Sequence, residues 1–446
     1  MIEERMLHTL GYYFVYNFRK ESNFCIMKEI LIIGGGAAGL MAANELLEKG
    51  YSVVILEASE RLGGRIHTSH DKKFEKPVEK GVEFIHGNLP LTMEIIKRAK
   101  LDYRLVRGKI FRIEEGQWKQ QNDFAEDWKE LMEKMNEVKE DLTFADFLDK
   151  NFRAEKYAAL RKTSIRFAEG FDVADINKAS TLALRAEWME GEDRHYRVTG
   201  SFDQLVNYLA DECSKKGGGI LTSQKVEKIQ WKNKKVIVTT DAGVSFIANK
   251  VILTVPLGIL QADPPLINFQ PSINNYLEAA KKIGFGNVVK VLLQFKEPFW
   301  ENKKKNLGFV FSQQKIPTWW TQIPLNENLL TGWAGGGQAV KIDSASDGTI
   351  LDFALDSLSR IFEIDIPEIG LLLTAATVAN WKKDPLSKGG YSYGMLETVA
   401  ARQLLNTPID DTIFFAGEGV YEGSSPGTVE AALVSGRNTA RALMKL

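Results

Sequence analysis

Two glycines, Gly34 and Gly36, lie between the apolar run Ile30-Leu31-Ile32-Ile33 and an Ala- and Leu-rich stretch over residues 37–49 that holds a third, Gly39. A G-x-G-x-x-G turn between a strand and a helix is suited to holding the pyrophosphate of a dinucleotide. Gly34 permits the tight turn, and Gly39 lets helix and strand pack closely. Gly36 lets backbone N–H groups, beginning with that of Ala37, approach a phosphate at the helix N-terminus. A second strand over residues 52–56 ends in Glu57, an acid placed to accept hydrogen bonds from ribose hydroxyls. Glycine-rich turns also arise for conformational reasons alone. The continuation Glu57-Ala58-Ser59-Glu60-Arg61-Leu62-Gly63-Gly64-Arg65 sets this one apart, because adjacent glycines between Arg61 and Arg65 suit a loop wrapping a phosphate.

Chemistry is also suggested at the far end. Ile413-Phe414-Phe415-Ala416 reads as a buried strand leading into Gly417-Glu418-Gly419, and Ser425-Pro426-Gly427-Thr428 opens a helix that runs to about residue 444. Pro at the first helical position after a Ser cap suits such a start. A plain docking helix would account for the helix but not for Gly417-Glu418-Gly419. In between, alternation over Val288–Phe295 puts Lys290 on a face with Val288, Leu292 and Gln294, which leaves a solvated lysine and a functional one both open. His86 closes an alternating strand over residues 79–87, and taken alone is equally consistent with a helix cap or a core filler. Trp381 and Tyr391, the latter after Gly389-Gly390, are open to simple packing. No Ser-His-Asp set or metal cluster competes with these positions.

The elements that must position them fill a chain of 446 residues, long for one core, so two domains are expected. The balance of 57 basic and 58 acidic residues gives no nucleic-acid footprint and no polybasic membrane surface. Two cysteines, Cys25 and Cys213, provide no disulfide framework and fit a reducing compartment, so a cytoplasmic protein is expected. No run of about 18 apolar residues suggests a membrane span. Residues 1–26 do not resemble a secretory signal and read as an extension ahead of a natural start at Met27. Residues 123–166 have helical spacing, with Trp128, Leu131, Met135 and Val138 on one face, as in a cap that shields a site from water. A helix over residues 202–215 and strands over residues 225–231, 235–240 and 250–254 follow.

Taken together, these motifs resemble those of the flavin-containing amine oxidases, the family of monoamine and polyamine oxidases, over residues 29–446. The resemblance implies an α/β fold with a discontinuous Rossmann-like FAD-binding domain (residues 27–86, 200–263 and 397–446) and a mixed α+β substrate domain (residues 87–199 and 264–396). It implies FAD rather than NAD, held by Gly34, Gly36, Ala37, Gly39, Glu57, Arg61, Gly64, Arg65, Gly417, Glu418, Thr428 and Val429, with the backbone of Val226 at the adenine. Glu418 would bind ribityl or ribose hydroxyls, and the helix N-terminus at Thr428 and Val429 would face the flavin pyrimidine ring. Lys290 would hold a water near flavin N5, with Trp381 near the ring and Tyr391 beside the amine passage.

The implied reaction passes a hydride equivalent from the amine carbon to the flavin and then electrons to oxygen, giving imine and hydrogen peroxide. Gly390 replaces a flavin-bonded cysteine of monoamine oxidases, which implies non-covalent FAD. Thr428 replaces the second tyrosine of their amine cage, and His86 matches a polyamine-oxidase histidine able to accept a hydrogen bond from a substrate ammonium when neutral. A polyamine or other extended aliphatic amine is the expected substrate. An amino-acid oxidase, a flavin desaturase and a flavin-binding scaffold are the alternatives.

Overall fold

The structure, a computed structural model, describes residues 26–87, 89–114, 116–120, 127–190, 194–325 and 327–446. Cys25 and the rest of the expected extension, apart from Ile26, lie outside these. The first strand, Ile26–Ile33, begins one residue before Met27 and lies parallel between Val53–Leu56 and Ser245–Leu253. From Ile30 onward it is buried on both faces, which is why it reads as an unbroken apolar run. Gly219–Leu221 extends the sheet beyond Val53–Leu56, while Lys235–Thr240, Val226–Lys232 and Asn268–Gln270 extend it the other way. Ser245–Leu253 also takes Ile413–Phe415 in parallel, so Val251, Ile252 and Leu253 stand opposite Ile413, Phe414 and Phe415. Stretches far apart in the chain therefore close one eight-stranded sheet. Helices Ala37–Glu48, Asp203–Lys215 and Val429–Leu443 cover one of its faces through Leu40, Leu46, Leu205, Leu209 and Leu433.

A seven-stranded sheet runs in the order Leu373–Asn380, Val288–Phe295, Leu329–Gly335, Thr318–Thr321, Leu307–Phe311, Lys109–Glu114 and Gln117–Gln120. Val288–Phe295 is flanked on both sides, and all of its residues are buried. Val289, Val291, Leu293 and Phe295 pack toward helix Asp347–Phe362. The opposite face, which carries Lys290, turns toward residues 80–83. Helices Asp127–Asn136, Phe144–Phe152, Ala158–Gly170 and Thr181–Glu190 form a separate apolar group around Leu131, Met135, Phe144 and Phe147, with Trp128 and Val138 packed against it as their spacing implied. Among the described residues no helix is long and apolar enough to cross a membrane.

Two local expectations are corrected. The strand expected over residues 79–87 is reduced to Val78–Glu79 and Ile85–His86. Between them the backbone turns onto a neighbouring loop, with Val82 N–H donating to the Arg65 carbonyl at 3.3 Å and Gly81 N–H to that of His67 at 3.3 Å. The side chain of Glu83 is drawn into a buried charge cluster. The last helix begins at Val429, and its N-cap is Thr428 rather than Ser425. Thr428 Oγ1 accepts the Ala431 N–H at 3.1 Å and donates to the Ser425 carbonyl at 2.7 Å, which satisfies an otherwise orphaned helix N–H.

Candidate active site

One cavity of about 1390 Å³ is lined by every candidate residue named from the sequence except Gly39. At its Gly-rich end, the three motif glycines prove to have different reasons to be glycine. Gly34 has φ +112°, and a Cβ there would sit 2.5 Å from Thr254 Oγ1. A Cβ on Gly39 would lie 2.0 Å from the Gly34 carbonyl oxygen, so this glycine serves helix–strand packing. Gly36 has an ordinary extended backbone, φ −80° and ψ −177°, and a Cβ would meet nothing nearer than the Gly63 carbonyl at 3.9 Å. Neither strain nor packing within the protein calls for glycine at this position. The space its missing side chain leaves belongs to the cavity, at the N-terminus of helix Ala37–Glu48, as backbone contact with a pyrophosphate requires.

Glu57 is buried and fixed by two backbone donors, with Gly35 N–H on Oε2 at 2.6 Å and Ser59 N–H on Oε1 at 2.8 Å. Arg61 is spent on its own loop, donating to the carbonyls of Leu62, Gly64 and Ile66. Arg65 Nη1 reaches across to Glu418 Oε1 at 2.6 Å and the Gly390 carbonyl at 2.8 Å. Ser392 donates to the other Glu418 oxygen through Oγ at 2.6 Å and N–H at 3.2 Å. Burial pushes the Glu418 carboxyl upward, but the Arg65 charge and these hydrogen bonds outweigh it, and the group is held below the usual carboxylate range. Glu418 and Arg65, read separately from the sequence, thus form one clasp joining the two glycine motifs. Val226, Thr428 and Val429 line the same space.

Beyond this end the wall changes character. Lys290 is 1 % exposed, so the solvated-lysine reading is excluded. Its Nζ donates to Glu83 Oε2 at 2.6 Å and to the Gly81 carbonyl at 3.1 Å. Glu83 Oε1 in turn accepts Arg197 Nη2 at 2.9 Å, Trp320 Nε1 at 2.9 Å and Gln322 Nε2 at 3.2 Å. Burial would raise the Glu83 carboxyl, but the charges of Lys290 and Arg197 overcome it and pull it down to about 2. Glu83, Arg197 and Trp320 were not singled out in the sequence. The available signal was a lone acid inside Gly81-Val82-Glu83-Phe84-Ile85, at a position whose neighbours are apolar.

His86 caps no helix, since Leu89 is the N-cap of Pro90–Arg98. Its Nδ1 lies 3.1 Å from His195 Nδ1, so one ring donates and the other accepts. Burial, aided by His195, pulls the His86 imidazole down to about 3 and keeps it neutral near pH 7. Trp381 Nε1 donates to the Lys80 carbonyl at 3.1 Å, which holds the indole against the loop carrying Glu83. Tyr391 donates its hydroxyl to the Phe171 carbonyl. The ring stacked beside it is Trp333, at 6.4 Å and 27°. Phe167, Phe171, Trp188, Phe309 and Trp320 continue the aromatic lining. Two acids, Asp172 and Glu187, also face it. Burial pushes the Asp172 carboxyl up to about 7 against a hydrogen bond from Trp188 Nε1 at 2.9 Å, and burial together with Asp172 raises Glu187 well above its ordinary value.

A glycine-lined end and an aromatic end with buried polar groups thus share one cavity. Residues 37–444 match the family of flavin containing amine oxidoreductases. The chain is 28% identical over 466 aligned positions to probable polyamine oxidase 4 of Arabidopsis thaliana, covering 95% of this chain and 88% of that protein. Its fold matches a wild-type putrescine oxidase bound to putrescine with TM-score 0.80 at 18% identity, covering 95% of this chain and 100% of the other. Cyclohexylamine oxidase from Brevibacterium oxydans IH-35A matches with TM-score 0.76 at 20% identity, over 94% and 99% of the two chains. The match over residues 37–444 places the chain in the flavin containing amine oxidoreductase family, as an amine oxidase whose cofactor is FAD.

Proposed function

We propose that this protein oxidises a polyamine or another extended aliphatic amine and passes the electrons to molecular oxygen. The observation that carries the substrate class is the pair of carboxyl groups, Asp172 and Glu187, on the aromatic wall of the cavity. Buried acids with few partners are relieved by a cationic guest, and a chamber continuous with the flavin end admits a long, flexible one. Relatives named as polyamine oxidases, and a like-folded enzyme with putrescine bound, accord with this reading.

Bound FAD would supply the two-electron acceptor for breaking the C–H bond next to nitrogen. The protein residues hold and screen. Gly34, Gly36, Ala37 and Gly64 would cradle the pyrophosphate, Glu57 the adenosine ribose, and the clasp of Glu418 with Arg65 the ribityl side. Thr428 and Val429 would present the N-terminus of helix Val429–Leu443 to the ring that gains negative charge. The link to FAD is read as non-covalent. A Cβ on Gly390 would lie 2.7 Å from Val288 Cγ2, and Cys213 is buried in helix Asp203–Lys215, its thiol pushed up to about 11 by burial. Lys290 offers a fixed positive charge at the cavity wall, Trp381 and Tyr391 confine the amine, and neutral His86 with His195 accepts from a substrate ammonium. Residues 27–86, 200–263 and 397–446 are the proposed cofactor segments, and the cytoplasm the proposed compartment.

Arg112 and Arg166 also line the cavity and favour a second reading, an amine that carries a carboxylate. Anaerobic mixing with spermine, spermidine, phenethylamine and leucine, followed by flavin bleaching, separates the two. Fast reduction by spermine or spermidine supports the proposal. Reduction by leucine or phenethylamine alone rejects it.

A further inference from the structure

Lys290 is the residue to which the proposed function gives a charge at the reacting end of the cavity, and what holds that charge has no counterpart in any motif. An ammonium has three N–H donors. Two are taken, by Glu83 Oε2 at 2.6 Å and by the Gly81 carbonyl at 3.1 Å, and Lys290 lines the cavity. Glu83 has no freedom of its own, because its second oxygen accepts from Arg197, Trp320 and Gln322. These donors come from separate strands, His195–Val198 and Thr318–Thr321, and from the loop that follows the latter. The ammonium also stands 5.6 Å from the centre of the Trp320 ring.

We propose that Glu83 is a positioning residue for amine oxidation: its immobilised carboxylate anchors the Lys290 ammonium and leaves one N–H directed into the cavity. Glu83 is saturated with donors and cannot itself serve as a base toward substrate. Removing it leaves the Lys290 Nζ with the Gly81 carbonyl as its remaining hydrogen-bond partner among the described residues. Loss of Glu83 would therefore free the Lys290 ammonium to turn. The inference rests on Lys290 acting in the reaction, as set out under the proposed function.

The test uses the FAD-loaded enzyme and follows the two half-reactions by stopped flow. Glu83→Gln should keep its FAD and slow the half-reaction that Lys290→Met slows, by about 10-fold or more, the scale of losing one placed polar group, while the other half-reaction is unchanged. Glu83→Asp should restore most of the wild-type rate, and Glu83→Gln should add little to the loss already present in Lys290→Met, because both act through one ammonium. A Glu83→Gln variant with full FAD content and both half-reactions at wild-type rates overturns the proposal. A loss in Glu83→Gln or Glu83→Asp that is just as large in the Lys290→Met background also overturns it. Two unchanged half-reactions in Lys290→Met would instead remove the role of Lys290 itself.

Discussion

The two ends of the cavity are built by different means. The glycine-rich end is made by backbone: Gly34 and Gly39 bring chain segments into contact, Gly36 leaves space, and Glu57 spends both oxygens on neighbouring N–H groups. The aromatic end is made by side chains that meet from remote strands: Lys290, Glu83, Arg197 and Trp320 on one wall, Tyr391 and Trp333 on another. Backbone construction is tied to a few residue types at fixed spacing. Side-chain construction is tied to partners, and any one of them reads as ordinary in isolation.

The largest expected effect tests the first kind of construction against itself. Gly39→Ala forces a Cβ onto the Gly34 carbonyl and should lower the apo-protein's melting temperature, with a cost of about 1–3 kcal/mol or more for overpacking. Gly36→Ala should leave the apo-protein's melting temperature unchanged yet weaken FAD binding about tenfold or more, read by flavin fluorescence. Equal losses of stability in the two variants would erase the distinction between a packing glycine and a ligand-facing one.

Next comes the side-chain end. Lys290→Met should keep FAD and slow one half-reaction by about 10- to 1000-fold, the scale of losing one placed polar group. Stopped-flow reduction and reoxidation measure it, and concomitant loss of FAD would mean that the two ends are not separable.

The pH dependence of stability discriminates more finely. Glu83 has its folded-state carboxyl at about 2, below the unfolded value, so its contribution is present above the usual carboxylate range and is lost as pH falls toward 2. Asp172 is raised to about 7, so its contribution is present at low pH and is lost as pH rises through 7. In denaturant melts Asp172→Asn should flatten the loss on the neutral side and leave the acid limb intact. An unchanged loss on the neutral side would mean that Asp172 ionises in the folded protein as it does in the unfolded chain.

The smallest effect is expected for Trp333→Phe, which keeps a ring beside Tyr391 but removes the 2.9 Å hydrogen bond to the Gly170 carbonyl. About 1 kcal/mol of stability and a few-fold rise in KM for the amine are expected. An unchanged KM would take Trp333 out of the amine passage.

What was legible in the sequence follows the same division. The strand–glycine–helix unit, Glu57, Gly417-Glu418-Gly419 and the last helix could be read because a tight turn, a close approach and a helix start each demand particular residue types. Even there, the cap fell at Thr428 rather than Ser425, since proline proximity outweighed the ordinary Thr-x-x-Ala hydrogen bond. The pairing of Arg65 with Glu418 could not be read, because 353 positions separate them and each looked sufficient for a ligand. Lys290 was ambiguous by alternation, for its strand is buried on both faces and alternation then carries no information. Glu83 broke the strand pattern because its charge needed partners that only the fold supplies.

The strand Ile413–Phe415 completes the sheet beside Ser245–Leu253, and the clasp and the cap at Glu418 and Thr428 come just after it. During synthesis from the N-terminus, the glycine turn at residues 34–39 is made long before its counterparts at residues 413–428. A site that needs both can form only once the later segment has joined the earlier one. A chain stopped before residue 413 would carry the first glycine motif and most of the aromatic wall, yet lack the Glu418 half of the clasp and leave residues 251–253 unpaired on one edge.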